Sequence, residues 1–227
     1  MTTESRSHWE QIYRTRAATE LSWYQSNVGR SCELVAASGV SRSAPILDVG
    51  AGASLLVDAL LEKGYSDLTV LDVAPAALQQ VRERLGPKAG SVKFIHADVT
   101  DFHPSRKFAL WHDRAVFHFL TNPAERDRYR LAMRRALSSG GHAIIATFAL
   151  SGPPRCSGLD VVRYDADALA AEFGDGLVLL DSVTETHVTP ASQEQGFLYC
   201  RFRVRPVEAT CEAARPRSHG ASGSERD

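Results

Sequence analysis

The stretch 44-APILDVGAGASLLVDALLEKGYSDLTVLD-72 carries the reading of the whole chain. Ile46, Leu47 and Val49 make a short apolar strand, and Gly50-Ala51-Gly52 turns the chain after it. Leu55, Leu56, Ala59 and Leu60 then recur at helical spacing, and Leu68 to Leu71 make a second strand that ends on Asp72. Strand, glycine turn, helix, strand and acid together are a βαβ nucleotide-binding unit. The glycines let the backbone come close to a ligand, and the following helix offers free N–H groups at its start. Asp72 lies 22 residues beyond Gly50, at the tip of the neighbouring parallel strand, where a carboxylate can accept both hydroxyls of a ribose.

Two nucleotide classes fit this stretch poorly. A dinucleotide fingerprint calls for a third glycine at position 55 to let helix and strand pack closely, and Leu55 stands there. No Gly-Lys-Ser/Thr follows the turn, which excludes a P-loop.

The remaining composition sets bounds. A length of 227 residues suits one α/β domain with additions. Apolar residues at 44% and charged residues at 23% are ordinary for a soluble globular chain, and the net charge of −1 argues against a dedicated nucleic-acid surface. Cys32, Cys156, Cys200 and Cys211 are scattered with no C-x-x-C pair, so neither a metal site nor a disulfide framework is expected. No apolar run approaches the length of a membrane span, and the first residues lack the apolar core of a signal peptide. The expected setting is soluble, reducing and cytoplasmic.

Along the chain, residues 5–16 read as a helix with a Ser7/Glu10 capping box and with Trp9, Ile12 and Tyr13 on one face. Trp23 and Tyr24 follow in a short connection, and a second helix is expected from Asn27 to Ser38. After Asp72, Pro75 opens a helix that Gly86-Pro87 ends. SVKFIHAD is a third strand closing on Asp98, and KFALWHD a fourth that delivers His112, Asp113 and Arg114, with His118 just beyond. Asn122, Pro123 and Glu125 start a helix rich in arginine, read as a solvated face, and Ser138 to Gly141 should end it before the fifth strand HAIIATFAL. Residues 151–160 form a Gly/Pro loop in which Cys156 reads first as a plain loop cysteine, with a thiol pKa lowered by Arg155 as the alternative. A short helix over Asp165–Phe173, strands over Leu177–Val188 and Phe197–Val204, and a polar tail from Pro206 complete the chain.

ILDVGAGAS resembles the first motif of class I S-adenosylmethionine-dependent methyltransferases. Trp9, Glu10 and Tyr13, the Trp23-Tyr24 pair, GYSDLTVLD and HDRAVFHFLT resemble the subgroup that includes eukaryotic lysine methyltransferases and bacterial type 12 methyltransferases, over about residues 8 to 150. The resemblance implies a Rossmann-like α/β fold: a seven-stranded, mostly parallel sheet, helices on both faces, and a C-terminal antiparallel hairpin. It implies S-adenosyl-L-methionine as cofactor and no metal. Asp48, Gly50, Ala51 and Gly52 would hold the methionine end, Asp72 and Val73 the ribose, and Asp98 and Val99 the adenine. Residues 1–40, with Trp23 and Tyr24, would be a helical lid, 41–205 the core, and 206–227 a disordered tail. Because ligands sit at the carboxyl ends of strands in such sheets, Asp113, His118 and His112 are the expected catalytic groups.

The reaction is then a methyl transfer in which alignment of the acceptor does most of the work, with a base needed only for a protonated acceptor. Two acceptor classes stand, a small molecule first and a protein lysine second, with nucleic acid and membrane not expected. A non-catalytic adenosine-binding protein and a nucleotide-dependent oxidoreductase are the rivals from other classes.

Overall fold

The computed structural model describes residues 3–205; the expected tail, 206–227, lies outside the described residues. Helices α1 (Thr3–Thr15) and α2 (Gly29–Ala37) precede the sheet, joined through a 3-10 turn at Ala18–Glu20. The alternation then begins: β1 (Ile46–Val49), α3 (Leu56–Glu62), β2 (Leu68–Asp72), α4 (Pro75–Leu85), β3 (Val92–His96), β4 (Phe108–Arg114), α5 (Pro123–Ala136) and β5 (Leu137–Phe148). Two short strands, β6 (Arg155–Cys156) and β7 (Leu159–Asp160), precede α6 (Ala166–Phe173), β8 (Leu177–Val188) and β9 (Glu194–Val204).

The seven-stranded sheet has the order β3-β2-β1-β4-β5-β9-β8. The first five strands pair in parallel, β9 runs antiparallel to β5, and β8 runs antiparallel to β9. The chain starts in the middle of the sheet, winds to β3, and returns to the other side of β1 with β4. That reversal opens a crevice at the carboxyl ends of β1 and β4, where Val49 stands beside Asp113 and Asp48 beside His112.

The strand pleat sorts the core into two layers. Leu47, Val49 and Trp111 pack with Tyr129 and Met133 of α5, whereas Ile46 and Leu110 pack with Leu56 and Leu60 of α3 and Val35 of α2. A third cluster of Trp9, Ile12, Tyr13 and Leu21 with Ala53 and Ala74 lies over the carboxyl ends of β1 and β2. The N-terminal segment is therefore apolar on the face it turns to the crevice.

Several local expectations change in the fold. Helix α1 begins before Ser7, so no Ser7/Glu10 capping box forms. Glu10 instead accepts the Ala76 N–H at 3.0 Å and caps the start of α4. Gln80 of α4 donates to the Tyr13 carbonyl at 2.6 Å, a second tie between the two helices. Ser138 to Gly141 do not form a separate stop: α5 ends at Ala136 and β5 takes up those residues, with a register shift against β4 between Phe108 and Leu110. The 151–160 loop contains the β6–β7 hairpin.

Candidate functional site

The glycine turn is held from below. Gly50 and Gly52 adopt φ values of 58° and 53°, which glycine reaches without steric cost. A Cβ on Gly50 would lie 2.0 Å from Val116 Cγ2, and one on Gly52 would lie 2.2 Å from the Tyr13 hydroxyl. Both positions therefore need glycine for space as well as for conformation. The Ala51 N–H donates to the Leu71 carbonyl at 3.2 Å. Gly52 N–H and Ala74 N–H donate to separate oxygens of Asp72, each at 2.8 Å. Burial pushes the Asp72 carboxyl up to about 6 against the pull of those backbone donors. Each Asp72 oxygen keeps a second lone pair for a ligand hydroxyl.

Two adjoining cavities lie over this floor. The first, about 700 Å³ counting the solvent at its mouth, reaches from Asp72, Val73 and Val99 across to Phe148 and Phe197. The second holds about 500 Å³ and is bounded by Asp48, Gly50, Ala51, His112 and Tyr24. Tyr13, Trp23, Gly50 and Arg114 border both.

In the second cavity, Asp48 Oδ1 accepts from His112 Nδ1 at 2.7 Å, and His112 Nε2 meets the Ser31 hydroxyl of α2 at 2.9 Å. Asp48 Oδ2 is buried with no hydrogen-bond partner. A buried carboxylate oxygen without a donor is costly, so this atom is suited to a cationic ligand group. His112 thus lies behind Asp48 as its anchor.

Asp113 and His118, the other two expected catalytic residues, border neither cavity. Asp113 is fully buried; it accepts the Val116 N–H at 2.8 Å, the Phe117 N–H at 3.1 Å and the Tyr129 hydroxyl at 2.5 Å. Trp111 Nε1 donates in turn to the Tyr129 oxygen at 2.9 Å. This carboxylate caps the turn after β4, and burial raises it to about 6. His118 accepts the Phe148 N–H on Nδ1 at 3.2 Å and lies edge-on to Phe119, with ring centroids 4.5 Å apart. Burial, helped by the Arg114 charge, pushes His118 down to about 3, so the ring is neutral at physiological pH.

Asp98 also turns away from the cavities. Its Oδ1 accepts from the Thr100 N–H and hydroxyl, both at 2.8 Å, and its Oδ2 faces Arg6 Nη2 of α1 at 3.0 Å. The neighbouring Val99 does line the first cavity, with Ala97. Cys156 borders the first cavity too, but Arg155 turns outward to Asp160 at 3.1 Å, and burial pushes the thiol up to about 11. Cys156 is therefore the plain cysteine of the first reading, and the alternative of a thiol lowered by Arg155 does not occur.

Trp23 and Tyr24 both line the site, and Trp9 joins them, 5.6 Å from Trp23 and 4.9 Å from Phe119 between ring centroids in edge-to-face contacts. Trp9, which the sequence places with Ile12 and Tyr13 on one helix face as a packing group, is also a cavity wall in the fold. Sequence reasoning also passed over Tyr13 as a cavity residue and Ser31 altogether. Arg114, beside Asp113 at the end of β4, reads from the sequence as a partner for an acidic acceptor or a nearby carboxylate, and it lines both cavities.

Comparison with known proteins bears on this geometry. Residues 46–141 match the family described as a methyltransferase domain. That match and the strand order support a class I S-adenosylmethionine-dependent methyltransferase core. The eEF1A lysine and N-terminal methyltransferase of Mus musculus is 25% identical over 152 residues, covering 64% of this chain and 22% of that protein. The EEF1A lysine methyltransferase 2 of Danio rerio is 26% identical over 160 residues, covering 63% of this chain and 68% of that protein. The malonyl-[acyl-carrier protein] O-methyltransferase 1 of Ilyobacter polytropus is 28% identical over 113 residues, covering 48% of this chain and 40% of that protein. This chain therefore spans about a fifth of the length of the first of these relatives. A structure from work on the conversion of a disulfide bond into a thioacetal group during echinomycin biosynthesis shares the fold, with a TM-score of 0.72 at 19% identity over 88% of this chain and 91% of the other. The 1,6-didemethyltoxoflavin-N1-methyltransferase of Burkholderia thailandensis, with a TM-score of 0.63 at 21% identity over 89% and 84% of the two chains, does so as well.

S-adenosylmethionine is the cofactor of this methyltransferase core, and the residues present fit it. Asp48 Oδ2 is a buried acceptor matched to its ammonium, the Asp72 lone pairs to its ribose hydroxyls, and the apolar wall of Val73, Ala97 and Val99 to its adenine. Among the described residues no helix is long and apolar enough to cross a membrane, and no cluster of His, Cys, Asp or Glu could hold a metal ion.

Proposed function

We propose that this chain transfers a methyl group from S-adenosylmethionine to a small-molecule acceptor held in the outer half of the first cavity. The observation that carries the reading is the aromatic lining of that cavity. Trp9 and Trp23 of the N-terminal segment, Cys156 of the β6–β7 hairpin, and Phe148 and Phe197 of the sheet line it. Three separate chain segments forming one aromatic chamber suit a compact apolar molecule. In this reading residues 1–40 act as a lid on a core of 41–205.

When bound, the cofactor supplies an electrophilic methyl on a cationic sulfur. Asp48 accepts from its ammonium, and His112, steadied by Ser31, fixes the Asp48 rotamer. Asp72 accepts from the ribose, and Val99 walls the adenine. Trp9, Tyr13 and Trp23 exclude water, and their π faces favour a cationic ligand. Asp98 holds Arg6 and so ties α1 over the adenine end; a contact with the adenine amino group requires Arg6 to let go.

Neither Cys156, which lines the acceptor side, nor the expected catalytic groups His118 and Asp113 offer a free base at neutral pH. The Cys156 thiol is held up by burial, His118 is neutral and turned to the backbone, and the Asp113 oxygens are engaged. The acceptor then arrives with its nucleophilic lone pair ready, and the protein contributes alignment. Three described cysteines, Cys32, Cys156 and Cys200, are buried free thiols, which supports the cytoplasmic reading.

A protein lysine acceptor is the second reading, favoured by the names of the eEF1A relatives. The test is transfer of labelled methyl into a cell lysate, separated into macromolecular and small-molecule fractions. Label in the small-molecule fraction is the expected result, and label confined to protein overturns the reading.

A further inference from the structure

Arg114 ends β4, and Ala115 then turns the chain with φ of 70°. Its guanidinium is fixed on three sides. Nε donates to the Tyr199 hydroxyl at 3.0 Å, Nη1 donates to the Trp23 carbonyl at 3.0 Å, and the plane lies over the Phe197 ring, 4.3 Å from its centroid. Nη2 is buried and has no hydrogen-bond partner. Among the described residues no carboxylate comes within ion-pair distance of this side chain, although it sits at the junction of the two cavities.

A guanidinium is always charged, and a buried N–H of a charged group left without an acceptor carries its full desolvation cost. Aromatic stacking offsets part of that cost but supplies no acceptor for Nη2. The arrangement is that of a receptor whose ligand brings the acceptor atom. Phe197, on which the guanidinium rests, borders the first cavity and not the second. The methionine end lies on the other side, against Asp48. The surrounding walls, Trp9, Trp23, Phe119 and Phe148, are aromatic, so the anion would be carried on an apolar frame. The same positive charge opposes entry of a lysine ammonium.

We propose that Arg114 Nη2 is the receptor for an anionic oxygen group, such as a carboxylate, on an apolar methyl acceptor, and that this pairing selects the substrate class. The inference rests on the small-molecule reading and names its chemistry.

The experiment uses the full chain saturated with S-adenosylhomocysteine and titrates it with benzoate and phenylacetate against benzamide and phenylacetamide. Loss of a charge-assisted hydrogen bond corresponds to about 10- to 150-fold in affinity, so each anion should bind at least about tenfold tighter than its amide. Arg114→Gln should bring the anions to the level of the amides while S-adenosylhomocysteine affinity stays within about threefold of wild type. Amides that bind as well as anions, or anions that do not bind, overturn the inference on wild-type protein alone, whatever the variant does. A parallel fall in S-adenosylhomocysteine affinity in Arg114→Gln assigns the guanidinium to the cofactor's carboxylate and overturns it as well. Label confined to protein in the lysate experiment would overturn the small-molecule reading and leave the anion-against-amide comparison as a separate result.

Discussion

Asp48 and His118 show how two residues on neighbouring strands and turns divide between ligand and scaffold. Asp48 spends one oxygen on His112 and keeps the other bare. Asp48→Asn preserves an oxygen for His112 and removes the charge. It should weaken S-adenosylhomocysteine binding about 10- to 150-fold, the value of one charge-assisted hydrogen bond. Binding of 5′-methylthioadenosine, which lacks the amino-acid end, should hardly change. Equal losses for both ligands would show that Asp48 supports the fold and not the ammonium. His118 makes a different prediction. Its folded pKa is depressed to about 3, so the unfolded chain takes up the proton first as pH falls below the ordinary histidine range. Stability from this group is present at neutral pH and lost on acidification, by about 2 kcal/mol between pH 7 and pH 5. Asp72 and Asp113, both raised to about 6, act with the opposite sign, since the folded state then takes up their protons first. These contributions oppose one another in the wild-type profile, so the informative quantity is a difference. His118→Gln should be less acid-sensitive than wild type by about that same 2 kcal/mol in urea unfolding, with turnover near normal. A turnover loss of about 10²-fold or more in folded protein would restore His118 to the chemistry.

At the scale of elements, α1 and the segment after it are tied over the sheet by polar contacts at their backs and aromatic contacts at their fronts. Arg6 reaches Asp98 and Asp101, Glu10 caps α4, and Gln80 holds the Tyr13 carbonyl. Between these ties and α2, residues 18–28 contribute Trp23 and Tyr24 to the cavity walls and only a short 3-10 turn of regular structure. A segment with few backbone hydrogen bonds gains order when a ligand fills the space beneath it. Deuterium exchange over residues 18–30 should therefore slow on addition of S-adenosylhomocysteine. Protection limited to β1, β2 and β4 would make the aromatics fixed core and end the lid reading. The arginine-rich helix α5 points to no ligand: Arg126 and Arg130 both pair with Glu172 of α6, each at 2.9 Å, and Arg134 reaches the Phe173 carbonyl. Its charges join two helices across the sheet face.

For the whole molecule, the sequence by itself determined the architecture. Buried parallel strands need near-continuous apolar runs, positive φ needs glycine, and helix starts need a cap or a proline; Ile46–Val49, Gly50 and Gly52, and Asn122-Pro123 state these needs locally. The spacing from the glycine turn to Asp72 brought that carboxylate under the turn, and the strand order placed β4 beside β1. Where interactions are non-local, local reading failed. Asp113 and His118 stand at the correct end of the correct strand, yet the pleat and the turn after β4 aim them inward, toward the Val116 and Phe148 N–H groups. Arg114, one residue on from Asp113, faces the cavities because side chains alternate across a strand, and no pattern announces which parity faces a ligand. Asp98 reads as an adenine contact until Arg6, 92 positions away in sequence, is seen to claim it. The chain's propensities and spacing decided where a cofactor end would form; only tertiary packing decided which polar atoms remained unpaired there, because hydrogen-bond satisfaction is a property of neighbours brought together from distant parts of the chain.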